Sequence, residues 1–281
     1  MPSRIRFAAR RRGLPVLLAL LACENMALAA WMGVRWLRTP DESIAEHGRR
    51  VAESLGCFAC HGPGGSGGVF NPGSESGEVP AWSGGTVMMY AENEAEIREW
   101  ILDGAPRRLK ASASHLENRK KSLLAMPAYR DRVSDPDLEA LLAYFAAVSW
   151  VRDPPDAAAH RGRELAFELG CFGCHGASGA LGNRNPGSFK GIVPAWTSND
   201  FAALVENDEE LEEWILDGVC KRLKQNPVAR RFLDNQVISM PAYRSRIDGE
   251  QLRALKAFIS WVRSSAAAPT AAAPTAGGDR R

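Results

Sequence analysis

The chain has 281 residues, of which 45% are hydrophobic, and its formal net charge at pH 7 is +2. This length accommodates two domains of ordinary size, and the nearly balanced charge gives no electrostatic reason to expect a nucleic acid as the partner. Six cysteines are too few for a disulfide-based scaffold of this length. The spacing of the cysteines is therefore more informative than their number.

The N-terminal residues predict export across a membrane. Residues 1–12 contain five arginines and no acidic residue, and the apolar stretch 13–37 follows. Such a stretch is long enough to cross a bilayer as a helix. The arginines predict that residues 1–12 lie in the cytoplasm and that the rest lies on the periplasmic side of a bacterial cytoplasmic membrane. The alternatives are a cleaved signal peptide or a lipoprotein signal that is lipidated at Cys23.

The remainder of the sequence repeats itself. Five blocks recur at a constant offset of 114 residues, as from Cys57 to Cys171: CFACHG or CFGCHG, NPGS, VPAW, EWILDG and MPAYR. Two copies of such a long unit do not make a solenoid. We expect two tandem domains, which we call the first repeat (41–152) and the second repeat (153–264), joined near Pro154-Pro155. The Ala/Pro/Thr-rich segment 265–281 is expected to be a disordered tail.

Both repeats are expected to be helical. The segment from Asp41 to Gly56 predicts a helix that starts at an acidic cap and ends at a glycine just before CFACHG. Further helices are predicted at 92–104, 135–151, 156–170, 206–218 and 249–262. No segment alternates convincingly as a strand, so the predicted fold class is all-α. Helices joined by long glycine-rich loops need a non-protein group to pack around.

Each repeat contains a CxxCH motif, formed by Cys57, Cys60 and His61 in the first and by Cys171, Cys174 and His175 in the second. A structural zinc site usually needs a second cysteine pair nearby. A thioredoxin-like redox pair needs a βαβ setting. Neither feature occurs within a repeat. The third chemistry is attachment of c-type haem, in which both thiols bond the haem and the histidine ligates its iron, and the duplicated motif favours it.

With these motifs, residues 41–263 resemble a dihaem cytochrome c built from two tandem class I cytochrome c domains. The resemblance implies two covalently attached haem c cofactors and a methionine, usually followed by proline, as the second axial ligand of each iron. Met126 and Met240 fit, each 65 residues after its histidine. The resemblance also implies proline carbonyls that orient the histidines and aromatic residues that line the haem pockets: Pro80, Pro194, Trp82, Trp196, Tyr129 and Tyr243. His115 aligns with Ala229 and is expected to be a solvated loop residue.

Ligation by histidine and methionine occupies both axial positions, and methionine raises the reduction potential. Both effects favour electron transfer over catalysis. The expected protein carries single electrons between redox protein partners of a respiratory or photosynthetic chain, either freely or as a subunit of a membrane complex, without a small-molecule substrate. The alternative is a dihaem enzyme. It would be a thiosulfate dehydrogenase, in which Cys220 replaces Met240 as a ligand, or a peroxidase, which leaves one iron open.

Overall fold

The computed structural model describes residues 13–84 and 86–267. The prediction of a helical chain is confirmed. The helices are α1 (Gly13–Leu37), α2 (Ile44–Ser54), α3 (Cys57–His61), α4 (Glu94–Asp103), α5 (Arg107–Lys110), α6 (Ala113–Lys121), α7 (Asp135–Ser149), α8 (Ala157–Glu168), α9 (Cys171–His175), α10 (Asn199–Leu204), α11 (Asp208–Asp217), α12 (Lys221–Gln225), α13 (Pro227–Asn235) and α14 (Gly249–Ala267). The predicted cytoplasmic segment 1–12 lies outside the described residues. So does most of the predicted tail, although α14 extends three residues into it.

Helix α1 is long and apolar enough to cross a membrane over Leu17–Leu37, and none of that span is buried against the protein. Its polar residue Asn25 is satisfied within the helix, since the side-chain amide donates to the carbonyl of Leu21 at 2.6 Å. In a membrane-spanning helix, polar groups must find their hydrogen-bond partners within the protein. The helix supports a membrane anchor.

The helices that open the two repeats start at different kinds of cap. Helix α8 is capped by Asp156, as predicted. The predicted acidic cap of α2 is wrong, because Ser43 accepts from the backbone of Glu46 and the Glu46 side chain accepts from the backbone of Ser43. This reciprocal capping box satisfies two backbone donors at once. The start of α2 therefore moves from Asp41 to Ile44.

Each opening helix crosses the closing helix of its repeat at a glycine. A Cβ atom on Gly48 of α2 would lie 1.9 Å from the carbonyl oxygen of Ala140 in α7. The same atom on Gly162 of α8 would lie 1.9 Å from the carbonyl oxygen of Ala254 in α14. No side chain fits at such distances. Glycine therefore sets the separation of each helix pair, and the pair forms the wall on which the rest of the repeat packs.

The loops contain a small β element that the sequence analysis missed. In the second repeat, β1 (Asn183–Arg184) pairs antiparallel with β2 (Ile192–Val193), with Asn183 opposite Val193. In the first repeat, a single antiparallel bridge joins Phe70 and Glu78. Two-residue strands are too short for an alternating pattern to be visible in the sequence.

The two repeats are packed against each other along a seam. Ala45, Ala147 and Ala180 form a small buried cluster. The Ser43 hydroxyl donates to the carbonyl of Ala180 at 2.8 Å, and the Ser178 hydroxyl donates to the carbonyl of Ala147 at 2.8 Å. The rings of Trp150 and Phe172 meet edge to face with their centres 5.0 Å apart. The seam thus combines apolar packing with hydrogen bonds in both directions.

Candidate cofactor sites

The two CxxCH motifs adopt the same local structure. Each forms one helical turn, α3 or α9, that begins directly after a glycine in the left-handed region, with φ of 75° at both Gly56 and Gly170. A side chain at either glycine would be strained. The glycines therefore let the chain turn sharply from the opening helix into the motif.

The motif thiols are held in an environment that disfavours their charged form. Burial raises the pKa of Cys57 and raises the pKa of Cys171 to about 11. Reactive thiolate nucleophiles show the opposite shift. In addition, within residues 13–84 and 86–267, no group of three or more His, Cys, Asp or Glu side chains is placed to hold a metal ion. The sites fit neutral thioethers better than metal thiolates.

Each motif histidine is oriented by the carbonyl of the proline that the sequence analysis selected. His61 Nδ1 donates to Pro80 O at 2.8 Å, and His175 Nδ1 donates to Pro194 O at 3.3 Å. Burial lowers the pKa of both histidines, against the opposing effect of the proline carbonyls. A neutral imidazole that donates from Nδ1 keeps a free lone pair on Nε2. This is the tautomer that a metal ligand requires.

A tryptophan packs beside each histidine. The Trp82 ring centre lies 5.1 Å from that of His61, and the Trp196 ring centre lies 5.3 Å from that of His175. The backbone amides of these tryptophans donate to Gly65 O and Gly179 O, each at 2.8 Å. The loop after each CxxCH motif is thereby folded back onto the motif, and the tryptophan shields the histidine from water.

The segments that carry Met126 and Met240 are positioned in the same way in both repeats. Helices α4 and α11 end at glycines in the left-handed region, Gly104 and Gly218. A Cβ atom on Gly104 would lie 2.6 Å from Met126 O, and one on Gly218 would lie 2.5 Å from Met240 O. The glycine of the EWILDG block therefore allows the methionine segment to pass close to the helix end.

Two asparagines hold the same segments, and the sequence analysis gave them no role. Asn71, which is 6% exposed, accepts from Leu124 N at 2.7 Å and donates to Leu124 O at 3.1 Å. Asn185, which is 2% exposed, makes the matching pair of bonds with Ile238, at 2.8 and 2.9 Å. Each bonded residue is two positions before a methionine. The duplicated NPGS block was the signal, because a buried polar side chain must find partners.

Each repeat encloses a cavity. The first cavity, about 380 Å³, is lined by Cys57, Cys60, His61, Pro80, Trp82, Met126 and Tyr129 among other residues. The second cavity, about 620 Å³, is lined by their counterparts Cys171, Cys174, His175, Pro194, Trp196, Met240 and Tyr243. All fourteen residues selected from the sequence thus lie at two cavities. Pockets for cofactors commonly measure roughly 300–1,000 Å³.

His115 provides a further test of what the first cavity can hold. It lies in α6 and lines the cavity, and its Nε2 atom is inaccessible to solvent and has no hydrogen-bond partner. The expectation of a solvated loop residue was wrong. The other lining residues are mainly apolar, with polar side chains such as Asn118 and Arg119 among them, so the cavity fits a large apolar group that also carries polar atoms. Haem, with its carboxylate side chains, has this chemistry.

Cys220 does not line the second cavity. Its side chain is fully buried at the start of α12, and burial raises its pKa. Met240 does line the cavity. The position of Cys220 gives no support to a cysteine ligand.

In each repeat, acidic side chains of one helix (α4 or α11) form ion pairs with basic side chains of the next helix (α5 or α12). Arg108 contacts Glu96 at 2.8 Å, and Arg222 contacts Glu210 at 2.7 Å. The next helix turn adds a second pair, Arg107 with Glu99 in the first repeat and Lys221 with Glu213 in the second. Much of the charge in these segments is therefore used to fasten α5 and α12 to the helices before them.

Comparison with known proteins agrees with this geometry. Residues 44–145 match the family described as cytochrome c oxidase, cbb3-type, subunit III. That segment, about a third of the chain, is thus similar to a cytochrome c domain. Such a domain implies covalently attached haem c, and within it lie the CxxCH turn, Pro80, Trp82 and Met126 of the first repeat.

Similarity to a second oxidase subunit also supports a cytochrome c domain. The chain is 34% identical over 133 residues to cytochrome c oxidase subunit 2 of Alkalihalophilus pseudofirmus, and the alignment covers 46% of this chain and 33% of that protein. The chain thus spans about a third of the length of this relative. No solved structure matches the chain. The cytochrome c domain is related to respiratory oxidase subunits, which supports haem-based electron transfer.

Proposed function

We propose that the chain is a membrane-anchored dihaem c-type cytochrome. It carries single electrons between redox partners of a respiratory or photosynthetic chain, alone or as a subunit of a membrane complex. Residues 41–152 and 153–264 are its two haem domains, on the periplasmic side of the membrane. The observation that carries the proposal is the pair of cavities, each with two thiols, a carbonyl-oriented histidine and a methionine at its wall.

The residues have distinct roles in this proposal. Cys57, Cys60, Cys171 and Cys174 would form thioethers to the haems, while His61 with Met126 and His175 with Met240 would ligate the irons. Haem c supplies a one-electron couple between ferrous and ferric iron. The protein holds the histidines in the correct tautomer, keeps water out with Trp82 and Trp196, and fills both axial positions. A site without an open position favours electron transfer over substrate chemistry.

Haem stoichiometry tests the proposal. The intact mass of the chain purified from membranes is expected to include two haem groups, and the pyridine haemochrome spectrum is expected to show two c-type haems per chain. The double variants Cys57→Ser/Cys60→Ser and Cys171→Ser/Cys174→Ser should each retain one. Absence of covalent haem would overturn the proposal, and a single haem in the unaltered chain would overturn the dihaem part.

A further inference from the structure

The segment that follows α1 is bound to the second repeat, although the first repeat follows it in the sequence. Arg38 Nε donates to the carbonyl of Phe189 at 3.0 Å, and the Arg38 guanidinium lies 5.8 Å from the ring centre of Phe232. Phe189 and Phe232 themselves meet edge to face, with ring centres 5.1 Å apart. Arg38 thus contacts both members of an aromatic pair by a hydrogen bond and a cation–π interaction.

Three residues further on, Asp41 adds a second attachment. Its backbone amide donates to Asp200 Oδ2 at 2.7 Å, and its own carboxylate accepts from the amide of Asn199 at 3.0 Å. Asp200 is buried and is also paired with Lys190. We call residues 38–41 the clamp, because its two ends bind separate parts of the second repeat.

The clamp binds the wall of the second cavity. Phe189, Lys190, Asp200 and Phe232 all line that cavity. The residues 114 positions earlier are Glu75, Ser76, Thr86 and Asn118. The first repeat therefore has neither the aromatic pair nor the Lys–Asp pair. The surface that receives the clamp is specific to the second repeat.

No loose linker separates the clamp from the candidate membrane span. The span ends at Leu37, and the amides of Arg38 and Thr39 still donate to Val34 and Trp36, each at 3.1 Å. Adjacent Cα atoms are only about 3.8 Å apart. The wall of the second cavity therefore lies within a few residues of the point where the helix leaves the bilayer.

We propose that the clamp holds the second site at the membrane surface, where it exchanges electrons with a redox partner embedded in the membrane. This rests on the proposed function, since it needs both the anchor and the second haem. It also assigns different positions to the two sites, with the membrane-proximal one being the later in the sequence.

Labelling from the lipid tests the position of the second repeat. The full chain is reconstituted in vesicles that contain a phospholipid with a photoactivatable headgroup, and the labelled peptides are mapped. Labelling at 186–193 and 228–236 should exceed labelling at the matching segments 72–79 and 114–122 by severalfold. The double variant Arg38→Gln/Asp41→Ala should lose this preference. Equal labelling of both repeats in the unaltered chain, or a preference that survives the double variant, overturns the proposal.

A control comes from the last turn of α1. The Arg35 guanidinium lies over the Trp31 ring at 5.3 Å, so Arg35→Gln removes a cation near the membrane without touching the clamp. This variant should keep the labelling preference of the unaltered chain. If it abolishes the preference as well, the effect belongs to charge at the membrane surface and the proposal fails.

Electron exchange with a lipid-bound probe tests the functional part. One electron passes from the reduced protein to a ferrocenium group on a lipid headgroup; the protein is oxidised, ferrocenium becomes ferrocene, and no proton moves. Arg38→Gln/Asp41→Ala should slow this reaction severalfold and leave oxidation by soluble ferricyanide unchanged. Equal slowing of both reactions, or of neither, contradicts the proposal. Haem content measured on the same samples separates this outcome from failure of the proposed function.

Discussion

In the first cavity, α6 contributes polar residues, and in the second cavity α13 contributes apolar ones at the same positions. The matched pairs are His115 and Ala229, Asn118 and Phe232, and Arg119 and Leu233. Both cavities nevertheless contain the two motif thiols, the motif histidine and the proline, tryptophan and methionine selected from the sequence. The two cavities therefore share the residues proposed to attach the haem and to ligate its iron, whereas the residues around them differ. Apolar surroundings disfavour the more highly charged oxidised iron, so we expect the second site to have the higher reduction potential.

Matched mutations at features that the two repeats share should have equal effects on stability. The largest effect is expected where the opening and closing helices cross. Gly48→Ala and Gly162→Ala each force a methyl group against a backbone carbonyl at 1.9 Å. Separating the helices should lower the free energy of unfolding by about 3 kcal/mol in each case, measured by chemical denaturation. Gly173→Ala is the control, since nothing lies within 4 Å of that position and the first repeat has Ala59 there. A loss in only one repeat would show that the crossings are not equivalent.

Substitution of the asparagines that hold the methionine segments should have the next largest effect on stability. Asn71→Ala removes two hydrogen bonds, and Asn185→Ala removes three, the third being a bond to the Gln236 side chain at 3.4 Å. Each variant leaves a backbone amide and a carbonyl without partners, at a cost of about 2 kcal/mol. The charge-transfer absorption of the methionine–iron bond should weaken for one haem in each variant. Unchanged methionine ligation in both variants would show that the asparagines do not position this ligand. Ser66→Ala, at an exposed loop position, should change neither property.

Exchanging matched residues between the two cavities should bring the reduction potentials of the two sites closer together. His115→Ala removes a polar group from the first cavity, so its potential should rise by about 50 mV, equivalent to about 1 kcal/mol for one electron. Ala229→His should lower the potential of the second site by a similar amount. Spectroelectrochemical titration resolves both changes. If either substitution moved the potential of the other repeat instead, the assignment of potentials to the two cavities would be wrong.

The smallest expected difference between the two repeats is in how their stability depends on acidic pH. Hydrogen bonding by Arg222 lowers the pKa of Glu210 from its ordinary value of 4.5. A lowered carboxyl pKa contributes stability that is present above about pH 4.5 and is lost as the pH falls through the lowered value. Glu210→Gln should therefore destabilise the protein by less than about 1 kcal/mol at pH 7, and the difference should shrink in acid.

The matched variant in the first repeat is Glu96→Gln, which should behave similarly but more weakly. Arg222 also donates to the carbonyls of Ala203 and Leu204, at 3.4 and 3.5 Å, so its guanidinium is held more firmly beside Glu210. Denaturation curves recorded from pH 7 to pH 3 compare the two. A larger acid sensitivity at Glu96 would contradict this ranking.

The sequence was sufficient to predict the N-terminal helix, three helices in each repeat and fourteen of the residues that line the cavities. The short helices α3, α5, α6, α9, α10, α12 and α13 were not predicted. The contact between His61 and Pro80, at 2.8 Å, was expected from the resemblance to class I cytochrome c domains. Features without a duplicate were harder to predict. The partner of Arg38 lies 151 residues away, and no local pattern specifies such a contact.

Some duplicated features were also missed. Asn71 and Asn185 were visible as a repeated block, but their partners are backbone atoms 53 residues away, which leave no mark on the sequence. The position of His115 was predicted incorrectly because its counterpart is alanine. Comparison of repeats finds what both copies share and undervalues what only one copy has.

The seam between the repeats has a consequence for the timing of electron movement. Ser43, Glu46 and Trp150 of the first repeat all contact residues 172–182 of the second. Two centres joined only by a flexible tether would meet at random intervals, and their exchange would depend on diffusion. With the repeats locked together, the gap between the two irons of the proposed dihaem protein would be a constant of the fold, and each hop across it would have the same intrinsic rate.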